Sequence, residues 1–193
     1  MKYYKCAFII GLMILLICMA GCTSNVPSIQ PPENKLSMIE PSDMELQLSD
    51  IPGNFTLKER SERVGSDVSQ WGRDHGWIEG YYTIFQKVDL SQSSGTVIEQ
   101  RISVYPIENI SMVLPYIHND FNNLTDVTVD ELSKPNIGDS SRAFRLTNKT
   151  DNTKIYVIAF VNKDIYENLV MGGTVTDYES LKQLATIAAA KIK

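Results

Sequence analysis

Apolar and polar positions alternate most cleanly after Gly95, where Ile98, Ile102 and Val104 interleave with Glu99, Arg101 and Ser103. A period of two is the mark of a strand with one buried face. Trp77 to Val88, rich in aromatic and β-branched residues, reads as its hairpin partner, with Ser91 to Gly95 as the connecting loop. Upstream, Leu46 and Leu48 alternate before a turn at Ile51-Pro52-Gly53, which predicts a strand there. Phe55 and Leu57 open another, which runs into the charged segment Lys58 to Arg63. Val127 to Leu132 and Arg142 to Thr147 predict two more strands, separated by the turn Lys134 to Ser141. Thr153 to Asn162 is apolar on both faces, as expected of an interior strand covered on both sides. Ile165 to Gly173 follows after a turn at Lys163-Asp164.

Two segments switch to a helical period. Ile110, Val113, Leu114, Ile117, Phe121 and Leu124 form one stripe, with Pro115 placed in the first turn, where it does not kink the helix. Leu181, Leu184, Ala185, Ile187, Ala188 and Ile192 form the other. Thr176 and Glu179 fit a capping box at its start, and Lys191 and Lys193 suit its C-terminal dipole. The predicted fold is α+β: a mainly antiparallel sheet of six or seven strands with two helices packed on it.

The N-terminus changes the picture from a fold to an address. Lys2 and Lys5 precede an apolar run from Ala7 to Ala20, which is short for a membrane span and suits a signal-peptide core. Met19-Ala20-Gly21-Cys22 resembles the lipobox of prokaryotic lipoproteins, with Met in place of the usual Leu. The resemblance implies cleavage after Gly21 and lipid on Cys22. The alternative is an uncleaved signal anchor with the same topology. Residues 23 to 43 contain four prolines and no apolar period, which predicts an extended tether. Residues 44 to 193 are then one domain. The three cysteines, Cys6, Cys18 and Cys22, all lie in the N-terminal segment, so the domain must rely on its core and not on disulfides.

Charge limits the partners. The net charge is -5 and becomes -7 when Lys2 and Lys5 leave with the signal. An acidic domain is not expected to bind nucleic acid, whose phosphates call for basic patches. A single acyl chain holds a membrane only marginally, so durable anchoring through Cys22 implies two chains or their equivalent.

Gln70 to Phe85 is the richest stretch for chemistry. Trp71, Asp74, His75 and Trp77 are the candidate ligand-facing residues. Trp77, Tyr81 and Phe85 fall in one strand register, where large aromatics are more often core than ligand platform. A histidine base needs an orienting acid and a nucleophile beside it, and the second histidine, His118, lies far along the chain on a predicted helix. No HExxH, HxH, Cys-His, GxSxG or phosphate-loop pattern occurs, so neither catalytic residues nor a metal or other cofactor is expected. Ser140 and Ser141 after Gly138-Asp139 read as a turn. Sequons at Asn54, Asn109, Asn123 and Asn148 are candidate glycosylation sites, with Asn148 in a predicted turn.

Gly76-Trp77 with Gly80-Tyr81, Pro135 with Gly138-Asp139-Ser140 and Phe144, and Leu181 with Leu184-Ala185 are arranged as in exported prokaryotic lipoproteins. The arrangement resembles the PsbP/Mog1-like α/β/α sandwich, in archaeal dress. It implies an accessory or binding module and carries no catalytic residue. Together these readings give a membrane-anchored, extracytoplasmic, non-catalytic binding or adaptor module for a protein or small-molecule partner. Alternatives are a surface hydrolase or metal-dependent enzyme built on Asp74 and His75, and a structural envelope component.

Overall fold

A computed structural model describes residues 39–89, 94–122 and 124–193. Seven strands form one sheet: β1 (Thr56–Glu62), β2 (Glu79–Asp89), β3 (Ser94–Val104), β4 (Val127–Glu131), β5 (Ser140–Asn148), β6 (Lys154–Asn162) and β7 (Ile165–Gly173). Their spatial order is β1-β2-β3-β7-β6-β5-β4, and every neighbouring pair is antiparallel. After the first three strands the chain crosses to the far edge and returns strand by strand, so that β7 closes against β3. The short helix α1 (Gln70–Asp74) lies between β1 and β2, α2 (Val113–Asn122) between β3 and β4, and α3 (Tyr178–Lys191) at the C-terminus. The fold is therefore α+β.

One face of the sheet is covered along its length. Phe85, Ile98 and Ile102 from β2 and β3 join Ala143, Ile158, Phe160, Leu169 and Met171 from β5, β6 and β7. Leu181, Leu184, Ala185 and Ala188 of α3 close this layer at its centre. Met44 and Leu46 cover the β2–β3 side. On the opposite face α2 sets Val113 and Leu114 against Ala159, Val161 and Tyr166. Phe121 meets Phe144 edge-on, with centroids 5.2 Å apart. Val157 to Val161 of β6 are consequently all buried, as a strand apolar on both faces requires.

The covered face holds two buried polar pairs, Thr83 with Glu45 at 2.9 Å and Gln100 with Glu167. Gln100 Nε2 donates to Glu167 Oε1 at 2.6 Å, and Gln100 Oε1 accepts from the Leu46 backbone N–H at 2.7 Å. Both side chains are within the core layer, Glu167 at 0 % exposure. Burial pushes the Glu167 carboxyl up to about 8, against the opposing pull of the Gln100 hydrogen bond and the Lys191 charge.

Three expectations need correction. Leu46 and Leu48 do not form a strand: Pro41–Met44 and Leu48–Asp50 are 3-10 turns. Gln100 takes the Leu46 N–H and Asp50 takes the Gln47 N–H at 2.8 Å, so side chains replace a strand ladder. Pro41 is buried and Ile39 packs on the core, on the tether side of the expected boundary at Met44. The last helix is capped by Asp177, not by Thr176. Asp177 Oδ2 accepts from the Ser180 N–H at 2.8 Å and its hydroxyl at 2.7 Å, a charged cap at the positive end of the dipole.

Candidate functional site

The stretch from Gln70 to Trp77 opens with a helix that the strand pattern does not announce. Ser69 caps it, its Oγ accepting from the Gly72 N–H at 3.2 Å. Arg73 ties the helix to the preceding loop, donating to the carbonyls of Gly65 and Val68. Gly72 is required by contact: a Cβ there would stand 2.7 Å from Val68 Cγ1 and 2.9 Å from the Tyr105 hydroxyl. Gly76, at φ +80°, then turns the chain toward β2.

The helix presents Trp71 between two rings. His75 stacks on one side at 3.9 Å and Tyr116 of α2 on the other at 4.1 Å. His75 Nδ1 is 2.8 Å from the Trp71 carbonyl, and the Asn109 amide donates to the His75 carbonyl at 3.0 Å. Asp74 is exposed and accepts from Gln70 Nε2 at 2.6 Å. Trp71 and His75 thus come together as the joint between α1 and α2, while Asp74 faces outward on the same turn. His118 lies within α2.

Trp77 departs from the expected register. Tyr81 and Phe85 belong to the face covered by α3, whereas Trp77 packs with Tyr105, Val113 and Tyr166 on the opposite face. The reason is local. Trp77 precedes β2, and its N–H is used by the Gly72 carbonyl at 3.0 Å, not by a strand neighbour. Gly80 leaves room beneath the indole, whose Nε1 lies 3.4 Å from where a Cβ would be. That Nε1 is buried without a hydrogen-bond partner.

Beside Trp77 lies a polar region that the motif reading missed. The face carrying α1 and α2 is apolar from β5 to β7, but β2 and β3 place Tyr82, Ile84, Val97, Glu99, Arg101 and Ser103 on it. Asn168 of β7 stands in line with Arg101 and Tyr82. Tyr82, Val97, Arg101 and Asn168 are only half-buried. Glu99 is 3 % exposed and ion-paired with Arg101. Arg63, just past β1, donates to Ser103 Oγ at 2.6 Å and to the Asp67 carbonyl at 3.1 Å. Burial and then the nearby Arg101 charge pull the Arg63 pKa down. Burial, then the Glu99 and Glu59 charges, push the Tyr82 phenol up to about 12, and burial does the same for Tyr105. The signal for this region was visible as the polar positions of the β3 alternation, which elsewhere in such hairpins face solvent.

A separate shallow groove of about 370 Å³ runs between α2 and β5, lined by Ser111, Leu114, Pro115, Lys134, Ser140 and Arg142 among others. Its Arg142 is engaged by Glu131 through two hydrogen bonds of 2.8 Å. Ser140 and Ser141, expected in the turn, are the first residues of β5, and Ser141 Oγ accepts from the Ile137 N–H of the preceding loop at 3.1 Å. Among the described residues no three His, Cys, Asp or Glu side chains converge in a way that could hold a metal ion.

The sequons differ in context. Asn54 is exposed. The Asn109 amide nitrogen is the donor to His75. Asn148, expected in a turn, is the last residue of β5; it is buried, at 7 % exposure, and its Oδ1 accepts from the Thr150 N–H of the turn that follows at 2.7 Å. Asn123 and Cys22 lie outside the described residues. No helix of the described residues is long and apolar enough to cross a membrane.

A scan against protein-family models gives no match, and a sequence search of curated proteins gives none either. Among solved structures, the fold is similar to the extracellular domain of PknH from Mycobacterium tuberculosis, with a TM-score of 0.62. The match covers 84% of this chain and 97% of that domain at 9% sequence identity. The likeness is one of fold.

Proposed function

We propose that this chain is an exported, non-catalytic binding module with a ligand-facing surface on the β2–β3–β7 part of its sheet. The observation that carries the reading is the contrast on one sheet face. α2 covers β5, β6 and the Tyr166 end of β7, while the part over β2, β3 and Asn168 of β7 keeps half-buried tyrosine, arginine and asparagine side chains together. Convergent polar groups on an otherwise apolar floor are what a small-ligand site needs. A domain of the same fold in the exterior part of another protein supports the export reading, as does the signal-like N-terminus. In this reading Cys22 carries the lipid, the proline-rich segment after it is the tether, and the domain works at the outer face of the membrane as PsbP-like accessory domains do. The stacking of His75 on Trp71 and the outward Asp74 favour a packing role for that pair over a hydrolytic one.

Native mass spectrometry of the full chain, extracted gently from its own membranes, tests this. The expected result is a lipidated chain that carries additional non-covalent mass. A chain that keeps its signal segment and carries nothing overturns both the anchoring and the binding reading.

A further inference from the structure

One end of the open half-face brings two arginines together with unused donors. Arg63 is held in place by its backbone N–H, which donates to the Gly80 carbonyl at 2.9 Å. Its guanidinium meets a hydroxyl and a carbonyl, Ser103 Oγ and Asp67 O, both of them neutral. Its hydrogen-bond partners are neutral, and the Asp67 charge opposes the effects of burial and of Arg101 from nearby. Arg101 adds a second cation two residues from Ser103 on the same face of β3 and is close enough to disfavour the charge on Arg63.

The acidic groups nearby have partners of their own, and none makes a contact ion pair with Arg63 among the described residues. Glu99 pairs with Arg101, and Asp67 accepts the Val64 N–H at 3.0 Å. Glu59 acts on Tyr82, which pairs with Arg101 across β2 and β3. The donors are equally specific. Trp77 Nε1 is buried without a partner and lies over Gly80, the cross-strand neighbour of Ser103. The Ser103 hydroxyl accepts from Arg63 and keeps its own hydrogen to give. The phenols of Tyr105 and Tyr166 are near enough to interact electrostatically with Arg63.

We infer that the Arg63, Ser103 and Trp77 end of this face binds the oxyanion of a small molecule, a carboxylate or a phosphate. A guanidinium fork matches either oxyanion, and an indole N–H and a hydroxyl supply donors to the remaining lone pairs. The bound anion gives Arg63 a contact partner of opposite charge and gives the buried Trp77 N–H an acceptor. The inference rests on the binding-module reading and names the chemistry that the module recognises.

Isothermal titration of the full chain in detergent, with sodium phosphate in one arm and sodium acetate in the other at constant ionic strength, is the test. At least one anion is expected to bind saturably at one site. Arg63→Gln is expected to weaken it about tenfold or more, as loss of a charged hydrogen bond does. Trp77→Phe keeps a ring and removes the N–H, and is expected to weaken binding roughly three- to tenfold. Arg142→Gln, in the separate groove, should leave it unchanged. Absence of saturable binding by both anions overturns the inference, as does equal binding by wild type and Arg63→Gln. If Arg63→Gln does not fold, unchanged binding by Trp77→Phe overturns it alone. A natively extracted chain that carries a neutral molecule and ignores both anions sinks the oxyanion site but not the module. Anion binding through Arg63 with nothing carried from the membrane does the reverse.

Discussion

The two faces of the sheet solve different problems with the same strands. Toward α3, β2, β3, β6 and β7 contribute Phe85, Ile98, Phe160 and Leu169, and the polar pairs there, Gln100 with Glu167 and Thr83 with Glu45, are buried. Toward α1 and α2, the same β2 and β3 contribute Tyr82, Glu99, Arg101 and Ser103. A helix covers the second face only from β5 to β7. The lesson is that β3 divides its residues by parity: even positions build the core and odd positions build a polar surface.

The largest effect expected to sharpen this contrast is on the covered face. Phe160→Ala should lower the unfolding free energy by about 3–5 kcal/mol in urea denaturation, as for a buried aromatic. Tyr82→Phe, on the open half, should change it by less than about 1 kcal/mol. Equal costs would erase the distinction between a sealed and an open face.

Glu167 tests whether the covered face is dry. Its carboxyl titrates near 4.5 when unfolded and at about 8 when folded, so the folded state holds the extra proton between those values. The sign follows: its contribution to stability is fully present below pH 4.5, is lost as pH rises toward 8, and is constant above. Glu167→Gln should therefore match wild type near pH 4 and exceed it by roughly 3 kcal/mol at pH 7. Denaturation curves at both values check this. Parallel pH profiles for the two proteins would show that Glu167 is solvated.

Smaller effects separate joint from site. Trp71→Leu should cost about 2 kcal/mol, because it unstacks His75 and Tyr116 and loosens α1 from α2. It should leave ligand binding at Arg63 within about twofold, since no bond joins Trp71 to that cluster. Asp177→Ala should cost about 1 kcal/mol through loss of the helix cap. Thermal melts read both.

Most of the sheet was legible in the chain because its signals are local. The alternation in β3, the two-sided apolar run in β6 and the stripes of α2 and α3 each follow from residues within one element. The failures are tertiary. Leu46 abandons strand geometry because Gln100, 54 residues away, takes its N–H. Trp77 leaves the Tyr81–Phe85 register because Gly72 and Gly80 draw it to the other face. The candidate site followed the same rule. Trp71 and His75 were conspicuous by composition and prove to be packed on each other. Arg63, Arg101 and Ser103 were inconspicuous, since only the pairing of β1, β2 and β3 gathers them.

The most direct test of the central claim is chemical-shift mapping on the isotope-labelled full chain, titrated with the small-molecule fraction released from the natively extracted protein. The account predicts shifts concentrated at Arg63, Trp77, Tyr82, Glu99, Arg101 and Asn168, with α3 and the Met44–Leu46 segment unmoved. Shifts centred on α3, or on the Arg142 groove, would contradict it.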